Sequence, residues 1–229
     1  MPDDQLRMKK INFVILLVLI FQSLGTFAQE QDAGLWLTAN IEKKISHNWK
    51  AAISQEFRLK ENYSQLGTYF TDIGIQYKIS KSFNASLNYR FIEKLQPDLT
   101  YDERNRLYLD IAYRYKQHKW MVIFRTRFQD QIKSVSSNED YSEPQYYWRN
   151  KLTVKRSIKK FDPYLSFELF YPLNKPEGNE IDEWRISLGT SYELNKKNSL
   201  NGYFLVDKEI HVNDPLTSFI TGIEYTYSF

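Results

Sequence analysis

The stretch that decides the fold is Phe219-Ile220-Thr221-Gly222-Ile223-Glu224-Tyr225-Thr226-Tyr227-Ser228-Phe229. One set of alternate residues, Phe219, Thr221, Ile223, Tyr225, Tyr227 and Phe229, is apolar apart from one threonine and turns aromatic toward its end. The other, Ile220, Gly222, Glu224, Thr226 and Ser228, carries a full charge in mid-stretch. Period two is the strand repeat, and two faces so different must meet different surroundings. A greasy face that ends in rings and a polar face that bears charge fit a barrel with lipid outside and a polar interior.

Ten earlier stretches repeat the pattern. The alternation predicts strands at about 33–45, 49–60, 67–79, 83–93, 104–115, 119–130, 145–156, 161–171, 182–194, 198–209 and 217–229. In the second, Trp49, Ala51, Ile53, Phe57 and Leu59 oppose Lys50, Ser54, Glu56, Arg58 and Lys60. Each run is long enough to cross a bilayer when tilted, for which roughly 9–11 residues suffice. Short polar turns near 46–48, 80–82, 116–118, 157–160 and 195–197 alternate with longer connections near 61–66, 94–103, 131–144, 172–181 and 210–216. Outer-membrane barrels have short periplasmic turns and longer external loops, so the last residue is expected at the periplasmic rim. Bacterial barrels usually have an even strand count, and the pattern leaves ten, eleven or twelve open.

Composition agrees with this class. The 229 residues include 17 Tyr, 15 Phe and 5 Trp but no Cys, so neither a disulfide framework nor thiol catalysis is available. Mean hydropathy is negative, as expected where only every second residue is apolar. A net charge of +3 gives no case for nucleic acid. Aromatics gather at both ends of the apolar face: Trp49, Tyr77, Phe83, Trp120, Phe161 and Tyr192 near the short turns, and Phe57, Tyr69, Phe91, Phe128, Trp148 and Phe219 near the longer ones. Two rows of rings suit two lipid–water interfaces. The alternative is a secreted soluble β-sandwich or lipocalin-like barrel, which would instead concentrate its rings at the middle of a buried face.

The N-terminus has the form of a secretory signal. Arg7, Lys9 and Lys10 precede an apolar run from Phe13 to Phe21, and Thr26-Phe27-Ala28 offers a cleavage site before Gln29. That run is about half the length of a membrane-spanning helix. The expected organisation is a signal peptide over 1–28 and one barrel over 29–229. Met8, followed by two lysines, is an alternative start, and without a Cys after the cleavage site the chain does not fit a lipoprotein.

Gly34-Leu35-Trp36, Glu42-Lys43-Lys44 at the first turn and the aromatic last strand resemble the family called domain of unknown function 2490. The resemblance implies an outer-membrane barrel with no established activity. The last strand also resembles the assembly signal of outer-membrane proteins, which implies recognition by the barrel-assembly machinery through Tyr225, Tyr227 and Phe229.

The polar faces hold the candidate site. The lumen-facing charges are expected to be Glu56, Arg58, Asp72, Arg90, Asp110, Arg114, Arg125, Arg127, Arg149, Glu168, Glu183, Arg185, Asp207 and Glu224, with Lys78, Arg106 and Lys151 on the same faces. Such a lumen either selects small polar or anionic solutes or fills itself with paired side chains; the mixed signs favour pairing, since unpaired buried charge is costly. Among three histidines, His211 shares the inward register with Ser218 across a hairpin, and a lipid hydrolase would need Asp207 or Glu209 to orient it. No motif supports that set, and histidines and carboxylates never cluster at metal-ligand spacing. Lysines gather at the short turns, where anionic headgroups lie. Carboxylates gather in the longer loops, where divalent cations shared with lipopolysaccharide would fit. The 131–144 loop is the candidate for entering the lumen or binding a partner.

The expectation is therefore a monomeric, non-enzymatic, cofactor-free barrel in the bacterial outer membrane, a porin-like narrow channel or a structural component. A loop-mediated binding protein is the alternative and a lipid hydrolase the remote one.

Overall fold

Eleven strands follow one another in the computed structural model, which describes residues 31–133, 144–176 and 178–229. They are β1 (Gln31–Lys44), β2 (Trp49–Lys60), β3 (Gln65–Lys78), β4 (Phe83–Leu95), β5 (Tyr101–Gln117), β6 (Trp120–Lys133), β7 (Gln145–Arg156), β8 (Phe161–Pro172), β9 (Glu183–Glu193), β10 (Asn198–Glu209) and β11 (Thr217–Ser228). The expected signal peptide, and residues 134–143 of the loop singled out above, lie outside the described residues.

Each strand pairs antiparallel with the next, and β1 closes the barrel by pairing parallel with β11. This fixes the count left open by the sequence. An odd number of consecutive hairpin strands makes the first and last run the same way, so the closing pair must be parallel. The seam is in register from Gln31↔Thr217 to Glu42↔Ser228. It ends with the Phe229 amide donating to the Glu42 carbonyl at 3.0 Å and the Lys44 amide donating to the Phe229 carbonyl at 3.1 Å. Inside, Asn40 donates to the Glu224 carboxylate and Ser228 Oγ donates to Glu42 Oε2 at 3.3 Å. Closure leaves no edge strand to attract another chain.

The two ends of the barrel differ less than the sequence suggests. β3 begins at Gln65 and β5 at Tyr101, so the connections expected at 61–66 and 94–103 shrink to 61–64 and 96–100. The first survives as a tight turn with Glu61, Asn62 and Tyr63 all at positive φ. It is held by the Asn62 amide on Asp32 Oδ1 (3.1 Å) and the Tyr63 amide on the Ala33 carbonyl (3.2 Å). At the opposite end, Ile45-Ser46-His47-Asn48-Trp49 and Ile79-Ser80-Lys81-Ser82-Phe83 fold alike. In each, one serine hydroxyl accepts from two later backbone amides, satisfying donors that a tight turn would otherwise leave unpaired.

Side-chain burial is inverted relative to a soluble domain. Outward Leu188 is 63% exposed and Leu87 49%, whereas inward Phe70 is 3% and Glu168 4%. Outward rings pair across strands at both rims, as in Trp49–Tyr77 (4.7 Å), Phe161–Tyr192 (4.7 Å) and Phe128–Trp148 (6.1 Å). Polar groups on that surface also find partners: Thr71 Oγ1 donates to Gln55 Oε1 at 2.6 Å, and Trp148 Nε1 donates to Thr126 Oγ1 at 2.7 Å.

Candidate functional site

The interior is organised as a collar to which every strand contributes one residue. In chain order these are Trp36, Arg58, Phe70, Arg90, Tyr108, Arg127, Arg149, Phe170, Arg185, Leu205 and Ile220. Arginine and aromatic alternate over most of the circle. The Arg58 guanidinium lies 3.6 Å from the Trp36 ring centroid and 5.0 Å from Phe70. Arg90 lies 3.7 Å from Phe70 and 5.6 Å from Tyr108. Arg127 lies 3.8 Å from Tyr108, and Arg149 4.0 Å from Phe170. Arg185 lies 4.5 Å from Phe170 and 5.5 Å from Trp36, which brings the ring back to its start. A cation over a ring face contributes about 0.5–2 kcal/mol, more where water is excluded. The alternation breaks at β6–β7, where Arg127 and Arg149 are in register, and at β10–β11, where Leu205 and Ile220 pair instead.

Carboxylates neutralise the collar arginines one by one. Arg90 contacts Asp72 at 2.6 Å, and the Tyr108 hydroxyl donates to the same oxygen at 2.5 Å. Arg127 grips Asp110 with two bonds, of 2.6 and 2.8 Å. Glu168 Oε1 accepts from Arg149 (Nε 2.9 Å, Nη2 2.7 Å) and from Arg125. Arg185 lies 2.6 Å from Glu183 and 2.9 Å from Asp207, and Arg58 lies 2.5 Å from Glu56. Planar guanidinium forks suit this paired geometry.

Twelve of the fourteen charges singled out above thus meet in one network. Arg114 and Glu224 do not join it. Arg114 sits at the short-turn rim with Lys78 and Asn84. Glu224 is held at the seam by amides of Asn40 and Asn201. Tyr225, Tyr227 and Phe229 all face outward; Tyr227 and Phe229 stack at 5.6 Å, and Lys43 Nζ lies 5.1 Å from the Phe229 ring.

The collar rings escape a reading that sorts faces by charge. Trp36, Phe70, Tyr108 and Phe170 occupy inward register between polar neighbours, and their only signal in the sequence is a ring on the polar face of every second or third strand. Two loop carboxylates also turn inward. Asp102 belongs to β5, and buried Asp182 takes Lys175 and the Tyr147 hydroxyl, each at 3.2 Å.

A cavity of about 510 Å³ lies within the lumen, walled by much of the collar and by Tyr147, Tyr164, Tyr203 and Lys151. The hydrolase geometry is not assembled. His211 Nδ1 lies 3.0 Å from the Ile181 carbonyl, Asp207 is held by Arg185, and Glu209 accepts from the Leu216 amide. No hydrogen bond joins His211 to Ser218 among the described residues.

A closed, edge-free barrel with an apolar exterior and a charged, packed interior defines an outer-membrane-type β-barrel. The chain belongs to the family described as Protein of unknown function (DUF2490), whose model matches residues 33–209. No curated protein sequence matches it. Two similar solved structures are the beta domain of the Bordetella autotransporter BrkA and the translocator domain of the autotransporter NalP from Neisseria meningitidis. The first is 10% identical with a TM-score of 0.49, over 77% of this chain and 82% of that one. The second is 11% identical with a TM-score of 0.47, over 80% of each chain.

Proposed function

We propose that the protein is a monomeric, non-enzymatic barrel spanning the bacterial outer membrane, with a lumen plugged by its own side chains rather than open as a diffusion pore. The observation that carries the plug is burial of the collar. Phe70, Tyr108, Phe170, Leu205, Ile220, Arg127 and Arg149 all point into the lumen, yet water scarcely reaches any of them. A through-channel would leave such residues wet. About 8 strands leave room only for side chains and 16–18 leave an aqueous channel; eleven strands filled with arginines and rings fall on the closed side.

The membrane placement is supported by the exposed apolar band, its paired polar exceptions and its two rows of rings, since in lipid every polar group needs an internal partner. The closed seam supports the monomer. Lysines at the short turns, among them Lys81, Lys159, Lys160, Lys196 and Lys197, suit anionic headgroups at that rim.

Planar-bilayer recording of the refolded protein tests the plug. The wild type is expected to be silent, while replacing Phe70 and Phe170 together by Ala opens conductance in protein that still shows heat-modifiable migration. Wild-type channels with a conductance the collar variant leaves unchanged would refute it.

A further inference from the structure

Beside the collar lies a second, smaller recess of about 150 Å³ with an unusual charge inventory. Five cations line it, Arg58, Arg90, Lys94, Arg104 and Arg106, over a floor that includes Phe70. Among the described residues, no carboxylate lines it. Arg58 and Arg90 spend part of their charge on Glu56 and Asp72, and Arg104 lies 3.8 Å from Asp102. The Lys94 carbonyl accepts from Gln96 Nε2 at 3.2 Å, but the Lys94 ammonium has no hydrogen bond or ion pair among the described residues. Among the described residues, Arg106 reaches only a neutral acceptor, the Gln131 amide oxygen, 3.0 Å from its Nε. Nε of Arg104 is buried without an acceptor among the described residues.

Every collar arginine meets a carboxylate, Arg58 and Arg90 included; Lys94 and Arg106 meet none among the described residues, and they face the other cations across a space large enough for several water molecules. Like charges held at short range in a poorly hydrated site repel strongly, and an anion placed between them removes that penalty. Guanidinium forks present paired donors that match the oxygens of a phosphoryl group. The recess shares Arg58, Arg90, Lys94, Arg104, Arg106 and Gln131 with the 510 Å³ cavity, so the two spaces adjoin across these side chains. That larger space is lined by Trp36 and three tyrosines, surfaces for the body of an organic solute.

We infer that the lumen binds a small soluble organic phosphate, its phosphoryl group seated among Lys94, Arg104 and Arg106 and its organic part in the tyrosine-lined cavity. The inference rests on the lumen of the closed barrel proposed above, but not on the lumen being non-conducting.

Titration calorimetry of the full-length protein in detergent micelles tests it, with glucose 6-phosphate, inorganic phosphate, glucose and a short-chain phosphatidic acid as probes. Glucose 6-phosphate is expected to bind most tightly, inorganic phosphate more weakly, and glucose not at all. Arg106→Gln and Lys94→Gln should each weaken glucose 6-phosphate binding by about tenfold, the loss expected for one charge-assisted contact. Lys196→Gln, at the opposite rim, should change nothing. Heat-modifiable migration of each variant shows that the barrel is intact. Absence of binding by millimolar glucose 6-phosphate overturns the inference, as does equal binding of glucose or unchanged affinity in both luminal variants. Binding of phosphatidic acid alone would replace a soluble solute with a lipid headgroup and also overturn it. A conducting wild type that still binds glucose 6-phosphate refutes only the plug; a silent one that does not bind refutes only the phosphate site.

Discussion

Glu168→Gln is the most exacting perturbation of the collar. The carboxylate is 4% exposed and its Oε1 serves two arginines, Arg149 through Nε and Nη2 and Arg125 through Nη2. With an effective dielectric of about 20, each ion pair at roughly 4 Å between charge centres is worth about 4 kcal/mol before desolvation is counted. Removing the charge spares the cost of burying a carboxylate but leaves two buried guanidinium groups without their counter-ion. Breaking a buried pair in this way typically costs about 3–5 kcal/mol, and the glutamine amide, isosteric but neutral, recovers little of it. The expected result is a loss of that size in the unfolding free energy, read from urea titrations of protein in lipid vesicles by gel shift and tryptophan fluorescence. Adding Arg149→Met to Glu168→Gln removes one of the orphaned cations and should recover at least about 1 kcal/mol, since a neutral replacement is far less costly than an uncompensated charge. If Glu168→Gln lowers stability by less than about 1 kcal/mol, the interior is wet enough to screen the charge. The collar would then not be packed, and the proposed plug would fail with it.

Further tests address separate features. Gly189→Ala would place a Cβ 2.7 Å from Tyr203 Cβ and 2.8 Å from the Gly202 carbonyl oxygen; the same urea titration should show a loss of about 1–3 kcal/mol. Ser80→Ala removes the acceptor for the amides of Ser82 and Phe83 at an exposed turn, and a loss near 1 kcal/mol by that assay is expected. Phe229→Ala should reduce the amount of folded barrel in isolated outer membranes while leaving in vitro refolding into detergent unchanged; equal accumulation would remove the role assigned to the terminal ring. Without detergent the mature chain should aggregate, because Leu188, Leu165 and their neighbours remain exposed; a monodisperse sample in plain buffer would contradict the membrane placement.

Period-two alternation was enough to place all eleven strands within a few residues, because a strand that separates lipid from a polar interior must mark its faces at every step. Boundaries erred where polar residues continue a strand beyond the apolar band. β5 extends outward through Tyr101, Asp102 and Glu103, which in sequence look like loop. The inward charges were readable as a set, since register alone assigns them to one face. Their partners were not. Arg125 and Arg149 converge on Glu168 from two strands, and Arg185 takes Asp207 from the next strand, through hairpin registers that periodicity leaves undetermined.

Residue order alone makes this chain a set of strands with one greasy and one charged face, and it assigns the charged residues to the inner one. Closure was decided only by tertiary structure. Eleven strands, an odd number, close through a parallel seam across which Asn40 meets Glu224 and Ser228 meets Glu42, residues nearly the whole barrel apart in sequence. The collar belongs to that level too, since cation over ring and cation beside carboxylate are relations between strands. One strand's pattern records its own two faces, not what its neighbours bring to the same height.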